Sequence, residues 1–91
     1  MVSVVIPAFN EAATIGECVA APLRHPAVDE VIVVDDGSVD ETARLAGAAG
    51  AQVITLPANA GKASALDAGV RAARSYILLF LDGDVTGHSS A

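Results

Sequence analysis

Four short apolar runs divide the chain, and amphipathic stretches lie between them. Val2-Ser3-Val4-Val5-Ile6 is short and rich in β-branched residues, and Pro7, which has no ladder donor, is expected to end it. From Glu11 to about Leu23, Ala12, Ile15, Val19, Ala20 and Leu23 recur at helical spacing, with Asn10 placed to cap the start and Pro22 and Pro26 to close the end. Val31-Ile32-Val33-Val34 predicts a second strand. After it, Ser38 and Glu41 have the spacing of a capping box, opening a helix over Val39 to Ala49 that Gly50 closes. Gln52 to Leu56 predicts a third strand, Ala63 to Ser75 a third helix, and Tyr76 to Leu81 a fourth strand.

The resulting order is βαβαβαβ. Strands that are apolar throughout, with no in-and-out alternation, must be covered on both faces, as in a parallel sheet with crossover helices. The expected fold is therefore α/β, a Rossmann-like open parallel sheet. Right-handed crossovers suggest strand order 3-2-1-4. Residues 1–84 would form this layer, and residues 85–91, which show no periodicity, a flexible tail.

Composition narrows the class. The chain has 91 residues, 53% of them hydrophobic, which fits one small globular domain and excludes intrinsic disorder. A formal net charge of −6 argues against nucleic acid and against an anionic membrane surface as partners. The single cysteine, Cys18, cannot form an internal disulfide, and no signal-peptide pattern precedes the first apolar run, so a cytoplasmic setting is expected, in solution or, for a full-length protein, at the cytoplasmic face of a membrane. Cys18, His25 and His88 give no zinc spacing, and neither a dinucleotide-binding glycine pattern nor a P-loop is present.

The polar clusters fall where strands end. In an open parallel sheet ligands bind beyond the carboxyl ends of the strands, beside the point where strand order reverses. Asn10 and Glu11 follow the first strand, Asp35 and Asp36 the second, Asn59 and Lys62 the third, and Asp82 and Asp84 the fourth. An edge this acidic is expected to recruit a cation, because like charges about 4 Å apart repel by about 4 kcal/mol at an effective dielectric near 20. Asp82-Gly83-Asp84 supplies hard oxygen ligands suited to Mg²⁺ or Mn²⁺; a plain turn after a strand is the alternative. Of Asp35 and Asp36, one is expected to face the cleft and the other to brace the loop. Lys62, opening a helix, is placed to meet a phosphate or simply to be solvated.

Taken together, Val4-Val5-Ile6-Pro7-Ala8-Phe9-Asn10-Glu11, Val33-Val34-Asp35-Asp36-Gly37-Ser38-Val39-Asp40-Glu41-Thr42, Asn59-Ala60-Gly61-Lys62 and Leu81-Asp82-Gly83-Asp84 resemble the nucleotide-binding half of family 2 glycosyltransferases with the GT-A fold. The resemblance implies a transferase using a nucleoside-diphosphate sugar, with Pro7, Ala8, Asn10 and Glu11 lining the nucleoside pocket. It implies that Asp36 contacts the base or ribose and that Lys62 lies near the nucleotide. Asp82-Gly83-Asp84 would be the family's DxD motif, with Asp84 on Mg²⁺ or Mn²⁺ and Asp82 acting through water, the ribose or the metal. A carboxylate facing a uracil or guanine N–H favours a UDP- or GDP-sugar.

The general base and acceptor half of such an enzyme would follow residue 91. No catalytic residue is expected within these 91 residues, which alone would not transfer sugar and would tend to self-associate through an exposed strand edge. Two alternatives stand beside this reading. Leu78 to Thr86 also resembles the first motif of haloacid-dehalogenase-type phosphatases, and a non-catalytic domain that binds nucleotide or self-associates would share the same elements.

Overall fold

The computed structural model describes residues 1–57 and 60–79. Four strands, β1 (Val2–Ala8), β2 (Val28–Asp35), β3 (Gln52–Thr55) and β4 (Tyr76–Leu79), alternate with three helices, α1 (Ala12–Leu23), α2 (Thr42–Ala48) and α3 (Lys62–Ala72). The sheet order is β3-β2-β1-β4. All three pairings are parallel, as the apolar runs predict.

The apolar strands are buried from both sides. On one face Val4, Ile6 and Ala8 of β1 and Val31 and Val33 of β2 pack with Ile15, Cys18 and Val19 of α1 and Ala46 of α2. On the other, Val5, Ile32 and Val34 pack with Ala65 of α3. Burying a Val or Ile side chain is worth about 1.5–3 kcal/mol, so this double layer supplies the main driving force. The α3 face is thin, and the helix comes close to the sheet there: a Cβ on Gly69 would lie 2.2 Å from Val5 Cγ1. No helix among the described residues is long and apolar enough to cross a membrane.

Several boundaries differ from the sequence reading: β2 starts at Val28, ahead of Val31, and others shift as the chain bonds to distant segments. β1 continues through Pro7 to Ala8, with Pro7 beside Val34. The carbonyl of Ala8 accepts the Asp36 N–H at 2.9 Å, so Pro7, one residue earlier, turns its donor-less nitrogen away from β2 and costs that ladder nothing. Ser38 and Glu41 form no capping box: α2 starts at Thr42, and residues 38–40 bond across to the loop after β1. Asn10 does not cap α1, whose N-cap position is Glu11, and Pro22 sits inside that helix. α3 stops at Ala72, short of Ser75, because Arg74 and Ser75 turn to Glu30, Ser3 and Asp29. The expected tail, residues 85–91, lies outside the described residues, as do Phe80 and Leu81.

Candidate functional site

The parallel ladders bring the carboxyl ends of the strands to one edge, and three loops meet there. β1 runs out into Phe9 and Asn10, β2 into Asp36-Gly37-Ser38, and the loop after β3 re-enters through Ala60 and Gly61 at the start of α3. Gly37 and Gly61 have φ of 82° and 100°, turns that side chains disfavour.

The two adjacent aspartates divide their work. Asp35 is 3% exposed, and its Oδ1 accepts the Ser38 N–H at 3.1 Å, bracing its own loop. Asp36 is 8% exposed and accepts the N–H groups of Ala60 at 2.6 Å and Gly61 at 3.0 Å. Its carboxylate thereby anchors the loop that delivers Lys62, the first residue of α3, while also facing a cavity.

That cavity, about 240 Å³, is lined by Pro7, Ala8, Phe9, Glu11, Asp36, Lys62 and Ala65. Small-molecule sites usually measure about 300–1,000 Å³, so this one suits a portion of a ligand such as a single heterocyclic base. The fold thus gathers Pro7, Ala8, Glu11, Asp36 and Lys62, all of them expected at the site. Asn10 does not line the cavity. Its backbone adopts a left-handed φ of 53°, its N–H donates to Ser38 Oγ at 2.7 Å, and its Oδ1 accepts the Val39 N–H at 2.9 Å, so it ties two loops together.

Two lining residues escaped the sequence reading. Phe9, 41% exposed, directly follows β1, and its position as an aromatic beside a polar pair was the available signal. Ala65 is one helical turn beyond Lys62 and buried, a small residue that leaves room above it. Asp82 and Asp84, the expected metal ligands, and Asn59 lie outside the described residues. Among the described residues no group of three metal-ligating side chains occurs. β4 runs parallel to β1, so its carboxyl end points to this same edge.

Behind the cavity, Asp40 reinforces the loops. Its carboxyl is held below the usual aspartate range, first by the Thr42 hydroxyl and then by the backbone N–H groups of Thr42 and Ala12. It is therefore ionised throughout the neutral range and adds to the negative character of this edge.

The sequence pattern of glycosyl transferase family 2 matches residues 3–89, nearly the whole chain. The chain belongs to glycosyl transferase family 2. Glucosyl-3-phosphoglycerate synthase from Mycolicibacterium paratuberculosis is 41% identical over 92% of this chain and 28% of its own length. A 4,4'-diaponeurosporenoate glycosyltransferase from Staphylococcus aureus is 38% identical, covering 92% of this chain and 24% of the relative. The crystal structure of glucosyl-3-phosphoglycerate synthase from Mycobacterium tuberculosis, in complex with Mn²⁺, UDP and glucosyl-3-phosphoglycerate, superposes with a TM-score of 0.73 at 39% identity. That alignment takes in 92% of this chain and 33% of the other. The chain therefore spans about 28–33% of the length of these synthases. The family match runs through the loops after β1 and β2 as well as Asp82-Gly83-Asp84, whereas a phosphatase motif would cover the last alone.

Proposed function

We propose that these residues form the donor-nucleotide portion of a glycosyltransferase that uses a UDP-sugar with Mg²⁺ or Mn²⁺. The observation that carries the reading is the cavity at the carboxyl edge, where the buried Asp36 carboxylate and Lys62 face the same space. Asp36 accepts a base N–H, a charge-assisted bond that a cytosine ring cannot offer at the equivalent position. Pro7, Ala8 and Phe9 supply the apolar wall against which a flat base packs. Lys62, at the first turn of α3, offers positive charge to phosphate oxygens.

Asp82 and Asp84 are the proposed metal ligands. Two carboxylates one residue apart form a hard-oxygen donor set, and they follow β4, whose carboxyl end points to the acidic edge. When bound, the divalent ion offsets charge on the departing diphosphate. GDP in place of UDP fits the same carboxylate chemistry, but the structural relative that holds UDP favours the uridine nucleotide. The acceptor is left unassigned: the two relatives share most of this chain yet carry names that specify different acceptors. A reducing, cytoplasmic setting accords with Cys18, which lies in the core at 2% exposure.

Calorimetry with UDP, with and without Mn²⁺, tests the proposal. Binding is expected in the presence of the ion and to fall at least about tenfold without it or in Asp84→Ala. Binding of equal strength in all three conditions would refute the metal assignment, and no binding in any would refute the nucleotide assignment.

A further inference from the structure

Helix α1 begins without a side-chain cap of its own. Its first amides are satisfied instead from the segment leading into α2. The Glu11 N–H donates to Thr42 Oγ1 at 2.8 Å and the Ala12 N–H to Asp40 Oδ2 at 3.2 Å. The Thr42 hydroxyl in turn donates to Asp40 Oδ1, which also accepts the Thr42 N–H at 3.0 Å. Both carboxylate oxygens are thus engaged, and Thr42 is fully buried.

The segment held this way is the wall of the cavity. Pro7, Ala8, Phe9 and Glu11 face the cavity, and between them Asn10 occupies a left-handed conformation, which asparagine adopts more readily than most residues. On its outer side the same segment is bonded to residues 38–42 through Asn10, Glu11 and Ala12. We infer that Thr42 and Asp40, which do not line the cavity, are positioning residues for the nucleotide: acting through the Glu11 and Ala12 amides, they fix the wall that receives the base. This rests on the cavity being the nucleotide site. An ionised carboxylate is required at residue 40, because an asparagine would present a donor to one of the N–H groups that Asp40 now accepts.

The test is UDP affinity in the presence of Mn²⁺, measured beside melting temperature and amide exchange at Glu11 and Ala12. Thr42→Val keeps the buried shape and is expected to weaken UDP binding about tenfold, whereas Thr42→Ser, which keeps the hydroxyl, stays within about twofold. Asp40→Asn, a change at an exposed side chain, is expected to cost about threefold or more in affinity and to speed exchange of both amides. Val31→Ala serves as the stability control: it lowers the melting temperature from the core and leaves UDP affinity unchanged. Unchanged UDP affinity in Thr42→Val, or in Asp40→Asn should the first variant not fold, would overturn the inference while the nucleotide reading stands. Failure of the unmutated protein to bind UDP would remove both.

Discussion

The two edges of this sheet bury carboxylates in opposite ways. At the amino-terminal edge Glu30 of β2, 8% exposed, accepts the Ser3 hydroxyl at 2.6 Å and the Arg74 N–H at 2.8 Å, and pairs with the Arg74 guanidinium at 3.1 Å. At the carboxyl edge Asp35 and Asp36 accept backbone N–H groups from Ser38, Ala60 and Gly61. Amide donors satisfy the oxygens without cancelling the charge. One edge therefore has its buried charge closed off by pairing, with an open hollow lined by Met1, Arg74, Ser75 and Tyr76 beside it, and the other stays negative where it lines its cavity. The difference teaches where to look for a ligand: the edge whose acids are hydrogen-bonded yet still negative is the one with work left for a cation.

The strongest way to break this separation is to disturb α3, which runs from Lys62 at the open edge toward Arg74 at the closed one. Gly69→Ala would ordinarily gain about 1 kcal/mol of helix propensity. Here the new methyl would meet Val5 Cγ1 at 2.2 Å and Val34 Cγ2 at 3.2 Å, so the clash dominates. The expected loss is about 1–3 kcal/mol in a chemical denaturation midpoint series, with weaker UDP binding as α3 shifts. A neutral effect on stability would show that α3 does not rest on β1 as closely as described.

A smaller change sharpens the contrast by striking one edge alone. Glu30→Gln removes the charge that Arg74 and Ser3 meet and is expected to cost about 1–2 kcal/mol with UDP affinity untouched; the exposure of Arg74 keeps the figure low. Acid sensitivity should change with it. The Glu30 carboxyl is held below its ordinary value of 4.5, first by the Ser3 hydroxyl and then by the Arg74 N–H and guanidinium, which together outweigh burial. Its contribution is fully present above pH 4.5 and is lost as pH falls through the lowered pKa. Melts between pH 5 and 3 should fall less steeply in Glu30→Gln than in the wild type; parallel curves would show that Glu30 does not carry this acid dependence.

Those effects also indicate which parts of the structure sequence reasoning can reach. Val4 to Ile6 and Val31 to Val34 declare a sheet covered on both faces, because only such a sheet spares the polar alternation, and the crossover rule then yields the order β3-β2-β1-β4. Loop chemistry was legible in location but not in partnership. Ser38, Asn10 and Glu41 have local signals for helix caps, yet Ser38 and Asn10 bond to each other's loops, and Glu41 pairs with Arg44. A local signal cannot register a partner 28 or 29 residues away. Ser3 and Glu30 carry no local signal for the same reason: a lone serine in an apolar strand acquires its meaning only from the register that sets it beside Glu30.

The most direct test of the open-edge account is an amide chemical-shift titration with UDP and Mg²⁺. The account predicts perturbations at Ala8 to Glu11, at Asp36 to Val39 and at Gly61 and Lys62, with Ser3, Glu30 and Arg74 unmoved. Shifts concentrated at the Ser3, Glu30 and Arg74 edge, or none at either edge, would contradict it.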